Sequence, residues 1–185
     1  MPLLLILSLA CSSSSSSSTA REVDVDEHAT DVDTGQDEPD EIPQMIALGT
    51  GEWEWASLDE GGELPVIQGP QGGFHFLGSV RVSGIEAGSP DDLSDLRNPT
   101  TTFWVLKDGV QLAPSSRFVQ GLDPAPEQAH PYEYEMIGRF VIMDIESDDE
   151  LDRVEVEMGV RIEDIEGVVL ESSATILSYP HPLNH

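Results

Sequence analysis

Six carboxylates, Asp144, Glu146, Asp148, Asp149, Glu150 and Asp152, fall within nine positions of the run DIESDDELDR. Calcium takes carboxylate and carbonyl oxygens from flexible loops, and like charges this crowded repel one another unless a cation joins them. Asp144, Glu146, Asp148, Asp149 and Asp152 are therefore candidate ligands for calcium; apart from that, no cofactor is expected. The other reading of the run is a solvated acidic turn whose charge discourages edge pairing. A second acidic set, Asp31, Asp33 and Asp37, fits calcium less well. Gly35 is fifth and Ile42 twelfth counted from Asp31, where an EF-hand needs Gly at the sixth position and Glu at the twelfth.

His75 is the other metal candidate. It follows the turn-rich stretch Gly69, Pro70, Gln71, Gly72, Gly73 and Phe74. His130, His181 and His185 are its only conceivable imidazole partners in the second half of the chain, and none is spaced to share a strand face with another. A strand-surface histidine bonded to the glycine loop is the simpler reading, and the terminal YPHPLNH is expected to fray. The glycines themselves ask for a tight turn with positive φ; no Lys completes a phosphate-binding loop. Trp53 and Trp55 alternate with Glu52 and Glu54, a pattern that would stack on a sugar if the rings were exposed. No Gly-x-Ser-x-Gly or His-Glu-x-x-His occurs, and the single cysteine, Cys11, lies outside the folded part. We expect no enzyme.

The elements that must position these groups alternate apolar and polar residues. In RVEVEMGVRIED, Val154, Val156, Met158, Val160 and Ile162 face one way and Glu155, Glu157, Arg161 and Glu163 the other. In GGFHFLGSVRVSGI, Phe74, Phe76, Val80 and Val82 point inward and His75, Ser79, Arg81 and Ser83 outward. In YEYEMIGRFVIMD the same rule puts Tyr132, Tyr134, Met136, Phe140 and Ile142 inside. Further strands are expected at 52–58, 64–68, 101–107, 110–113 and 168–178, with Trp104 as a core aromatic. Turns are expected at KDGV and DIEGV, and a single helical turn at 91–96. Seven or eight such strands predict an all-β fold, an antiparallel immunoglobulin-like β-sandwich over residues 46–185, with a small barrel or jelly roll as the alternative.

Ahead of that domain, Leu3 to Leu9 is apolar except for Ser8, too short to span a bilayer but suited to a signal peptide over residues 1–10. Cys11 follows it, and seven serines follow Cys11. A lone cysteine can form no internal disulfide. Residues 21 to 41 hold ten acids and one arginine, so residues 11–45 are expected to be a disordered tether.

Ser8-Leu9-Ala10-Cys11 resembles the lipobox of bacterial lipoproteins. The resemblance implies cleavage before Cys11, acylation of its thiol with palmitate-like chains, and a membrane anchor. Ser12, where Asp marks inner-membrane retention, leans toward the outer membrane. Gly69, Pro70, Gln71, Gly72, Gly73, Phe74 and His75 resemble a segment of secreted proteins and lipoproteins of myxobacteria and related bacteria. That likeness implies a β domain in the cell envelope and brings no activity with it.

The net charge is −28 over 185 residues. The acidic segment accounts for −9, which leaves −19 on the rest. Six arginines and one lysine there make no basic patch, so no nucleic-acid partner is expected; cations and basic envelope proteins are favoured. The sequence thus points to a lipid-anchored envelope protein with a binding or structural role. The alternatives are a calcium or transition-metal module and a carbohydrate-binding module.

Overall fold

The computed structural model describes residues 42–114 and 116–184. Eleven strands run through them: β1 (Met45–Thr50), β2 (Ala56–Ser57), β3 (Glu63–Gln68), β4 (Phe74–Ser83), β5 (Thr100–Lys107), β6 (Val110–Gln111), β7 (Arg117–Val119), β8 (Asp123–Pro124), β9 (Tyr134–Met143), β10 (Val154–Glu163) and β11 (Val169–Pro180). Expectations for the signal segment, Cys11, most of the tether, the Asp31 set and His185 lie outside the described residues. Among those residues there is no α-helix, only the 3₁₀ turns Glu127–Ala129 and Asp148–Leu151. No described helix is long and apolar enough to cross a membrane. The helical turn expected at 91–96 is instead a chain of separate hydrogen-bonded turns, in which Asp92 accepts from the Ser94 amide and Asp95 from the Arg97 amide.

The fold is the predicted all-β sandwich. In one layer β4 lies at the centre, flanked by β9 on one side and by β1 and the end of β3 on the other. In the second layer the order is β3-β11-β10-β5, with β6 and β7 on the far side of β5. β3 therefore belongs to both layers. Its pairing with β11 is parallel, a departure from the wholly antiparallel expectation. The cause is connectivity: β3 leaves one sheet to close the edge of the other.

Alternate side chains fill the space between the layers. Val156, Met158, Val160 and Ile162 of β10 are buried, as are Phe74, Phe76, Val80 and Val82 of β4. Phe103 of β5 crosses to the other layer, where a Cβ at Gly78 would lie 2.9 Å from its ring. The KDGV hairpin pairs Lys107 with Val110, and the 164–168 turn brings Glu163 opposite Val169. Residues ahead of 46 also join the domain: β1 begins at Met45, and the Pro43 carbonyl accepts from Ser83 Oγ.

Three local expectations are corrected. Trp104 is not a core aromatic; Phe103 is, because the inward positions of β5 are Thr101, Phe103 and Val105. Trp104 lies on the outer face, its ring filling the space a side chain at Gly159 would take. The strand expected over 52–58 shrinks to Ala56–Ser57, and residues 51–55 form a loop. The terminal segment is held rather than frayed: Asn184 donates to the Val66 carbonyl and Asp148, and accepts from the Gln68 amide.

The fourth correction concerns the site. Phe140 and Ile142, expected inside, are 56% and 58% exposed, while Val141 and Met143 are buried in their place. The reason is a bulge. Val80 pairs with Met136, but Gly78 pairs with Arg139, so Ile137 and Gly138 together oppose Ser79. Gly138 sits at φ +70°, and a Cβ there would collide with the Glu52 carbonyl. One extra residue in the strand shifts the alternation, and every later side chain changes face.

Candidate functional site

Five residues, Gly69 to Gly73, connect β3 to β4. The Gly69 amide donates to the Gly73 carbonyl (2.7 Å) and the Gly72 amide to the Gly69 carbonyl (2.9 Å). Gly72 takes the positive φ, +92°, that the sequence called for. The turn stands beside the outer face of β4 and β9, and together they form a cleft of about 470 Å3 lined by Gly69, Pro70, Gln71, Gly73, Phe74, His75, Phe140 and Ile142. That volume is within the range of ordinary ligand sites. The lining has no formal charge at neutral pH, on a domain that carries −19.

His75 occupies the outer face, as expected, yet is only 8% exposed. A Cβ on Gly69 would lie 3.8 Å from its ring, and Phe140 packs against it with centroids 4.5 Å apart at 44°. The expected hydrogen bond to the glycine loop is not made; neither ring nitrogen has a partner among the described residues. Burial lowers its pKa from the ordinary 6.5, so the ring is neutral near pH 7 and can either donate or accept. The ring lies in the cleft between the glycine turn and Phe140, where it can take part in one hydrogen bond to a bound group.

A pH dependence follows. The folded state prefers neutral His75, so its contribution is intact above pH 6.5 and is lost as pH falls through the lower folded value. Acidification otherwise relieves repulsion in so acidic a chain, so the effect is read as a difference. Between about pH 7 and about pH 5, the wild type should gain less stability, or lose more, than His75→Gln in urea unfolding. Equal pH dependence of the two would refute the assignment.

The acidic run does not come together as a ligand set. Glu150 folds back onto the Glu146 and Ser147 amides, and Ser147 Oγ accepts from the Asp149 amide, a capping box for the 3₁₀ turn. Asp148 is buried against Asn184 (2.7 Å), and Asp144, Glu146, Asp149 and Asp152 are exposed. Among the described residues no three His, Cys, Asp or Glu side chains converge on one point, His75, His130 and His181 included. A second depression of about 350 Å3 is rimmed by Glu86, Glu133, Asp164 and Glu166. Its carboxylates are largely engaged in bonds to backbone amides, Asp164 with three of them.

The two alternating tryptophans part company. Trp55 packs over Gly49, with the Arg81 guanidinium 4.7 Å from its ring and Arg81 in turn paired with Glu135 at 2.9 Å. Trp53 is 83% exposed. Sequence reasoning found the turn and His75 but missed Phe140 and Ile142; the available signal was Gly138, a glycine inside a strand pattern. Comparison of the chain with protein-family models, curated proteins and solved structures finds no match.

Proposed function

We propose that this protein is a lipid-anchored binding module of the bacterial cell envelope, acylated at Cys11 and acting without catalysis through the cleft beside the 69–73 turn. The observation that carries the binding role is the outward aim of Phe140 and Ile142. Burying such side chains contributes about 1.5–3 kcal/mol each, and a regular β9 would have turned them inward. A bulge instead places them beside an unpartnered His75 in a lining without charge, the kind of re-aiming that bulges supply next to binding sites. Support for the anchor is the apolar Leu3–Leu9 run ending at Ser8-Leu9-Ala10-Cys11. More than one acyl chain holds a protein stably where a single chain does not. Ser12 favours the outer membrane, and the acidic segment that follows serves as a stalk.

The anchor has a direct test. Cells expressing the protein and fed an alkynyl palmitate should label it, and the label should vanish in Cys11→Ser with the protein leaving the membrane fraction. Full labelling and membrane retention of Cys11→Ser would remove the anchor from this reading.

A second reading rests on Trp53, whose exposed ring between Glu52 and Glu54 suits stacking on a sugar. The cation-binding alternative has no converging donors among the described residues.

A further inference from the structure

We propose that the outer edge of β9 accepts an extended cationic polypeptide as an added strand, one aromatic side chain of which lies in the cleft. This rests on the cleft being the binding surface. On one side β9 pairs with β4 along nearly its whole length. On the other it meets only β8, at Tyr134 and Glu135. Past those two residues, no backbone hydrogen bond from another described residue reaches Ile137–Met143 on that side. The next tie is the Asp144 amide to the Leu112 carbonyl, at 2.7 Å. A row of unpaired amides and carbonyls is the template that strand addition uses, with main-chain bonds supplying affinity and alternate side chains supplying specificity.

Protein edges are blunted by proline, bulges, inward charge or a covering segment. The bulge at Ile137 and Gly138 and the inward-facing Arg139, opposite Gly78, guard the start of this edge; from Phe140 to Met143 it carries no proline and no charge, and shows Phe140 and Ile142 on the face that continues into the cleft.

The chemistry of the occupant follows from its surroundings. Side chains of an added strand would stand beside Phe140 and Ile142 at alternate positions, where apolar and aromatic partners stabilise a strand pair. An aromatic residue with a polar tip, such as tyrosine, would cover the apolar floor and reach toward His75, whose ring nitrogens have no partner among the described residues. Beyond the segment the charge changes. Asp144 and Glu146 are exposed past one end, and at the other the exposed Glu52 lies against Gly138. Basic residues therefore suit the flanks, in keeping with a domain at −19. A second copy of this chain would bring −28 against −28 and is disfavoured as the occupant.

The test uses the full-length protein and two synthetic nonapeptides of alternating lysine and tyrosine, one of them N-methylated at every internal amide so that neither edge can donate. The two have the same charge and the same side chains. Fluorescence anisotropy should show the unmodified peptide binding about tenfold or more tightly than the methylated one, the effect of losing one or two main-chain hydrogen bonds. Amide exchange at Arg139–Met143 should slow when it binds. Phe140→Thr and Ile142→Thr should each weaken it. If those variants weaken binding but methylation does not, the cleft stands and strand addition falls. If binding ignores both variants, the reading of the cleft itself fails. No binding of the unmodified peptide, or protection confined to other strands, overturns the proposal.

Discussion

Phe103→Ala should cost the domain about 3–5 kcal/mol, whereas Phe140→Thr and Ile142→Thr should each stay within about 1.5 kcal/mol of wild type. All three positions are large apolar residues in long strands. Phe103 is fully buried between the layers, reaching Gly78 on the opposite sheet and meeting Phe118 edge-on at 6.2 Å. Removing its ring takes away transfer energy and leaves a cavity that a sandwich held at both faces cannot collapse. Against a total stability of about 5–15 kcal/mol for a domain, that loss is a large fraction. More than half of Phe140 and of Ile142 is already exposed, so shortening them uncovers far less than at a core position. The ring contact with His75, worth about 0.5–1.5 kcal/mol, is the main loss at Phe140. Urea unfolding of the three variants checks this. A loss above about 2 kcal/mol at Ile142 would mean that the bulge does not turn β9 outward.

Asp164→Ala should destabilise by about 2–4 kcal/mol, and Asp164→Asn by clearly less. The Asp164 carboxylate, buried within the β10–β11 turn, accepts from the Glu166 amide (2.9 Å) and the Val168 amide (2.8 Å). Its other oxygen accepts from the Glu86 amide at 3.0 Å, tying the segment after β4 to a hairpin 78 residues later in the chain. Alanine leaves three donors without their acceptor. Water can replace it at Glu166, which is exposed, less readily at Glu86 and Val168. Asparagine keeps one acceptor oxygen and the turn shape. Chemical unfolding of both variants decides the matter; an Asp164→Ala loss below about 0.5 kcal/mol would show that the carboxylate is dispensable.

How far the fold could be read beforehand varies from strand to strand. In β10 the alternation runs unbroken from Val154 to Ile162, and the structure buries Val156, Met158, Val160 and Ile162 and half-buries Val154. The KDGV and DIEGV turns sit where their chemistry placed them. In β9 the same rule succeeds through Met136 and fails from Phe140 onward, because period two holds only while the strand is regular. In β5, Phe103 and Trp104 are neighbours of similar character, and which one enters the core depends on Gly78 and Gly159 in partner strands. The site divides likewise. The Gly69–Gly73 turn and His75 were legible from local chemistry. The burial of His75 was not, since it comes from Phe140 and from the turn folding alongside.

What the sequence determined alone is the two-faced character of each long strand and the tight turns between them, since both arise from neighbours a few positions apart. The acidic balance was equally plain, being a sum over residues. What only the tertiary structure decided is which face meets the other layer past Gly138, and therefore that Phe140, Ile142 and His75 share a cleft. Burial is a property of contacts between strands far apart in the chain, and a single bulged residue reverses it without altering the local pattern.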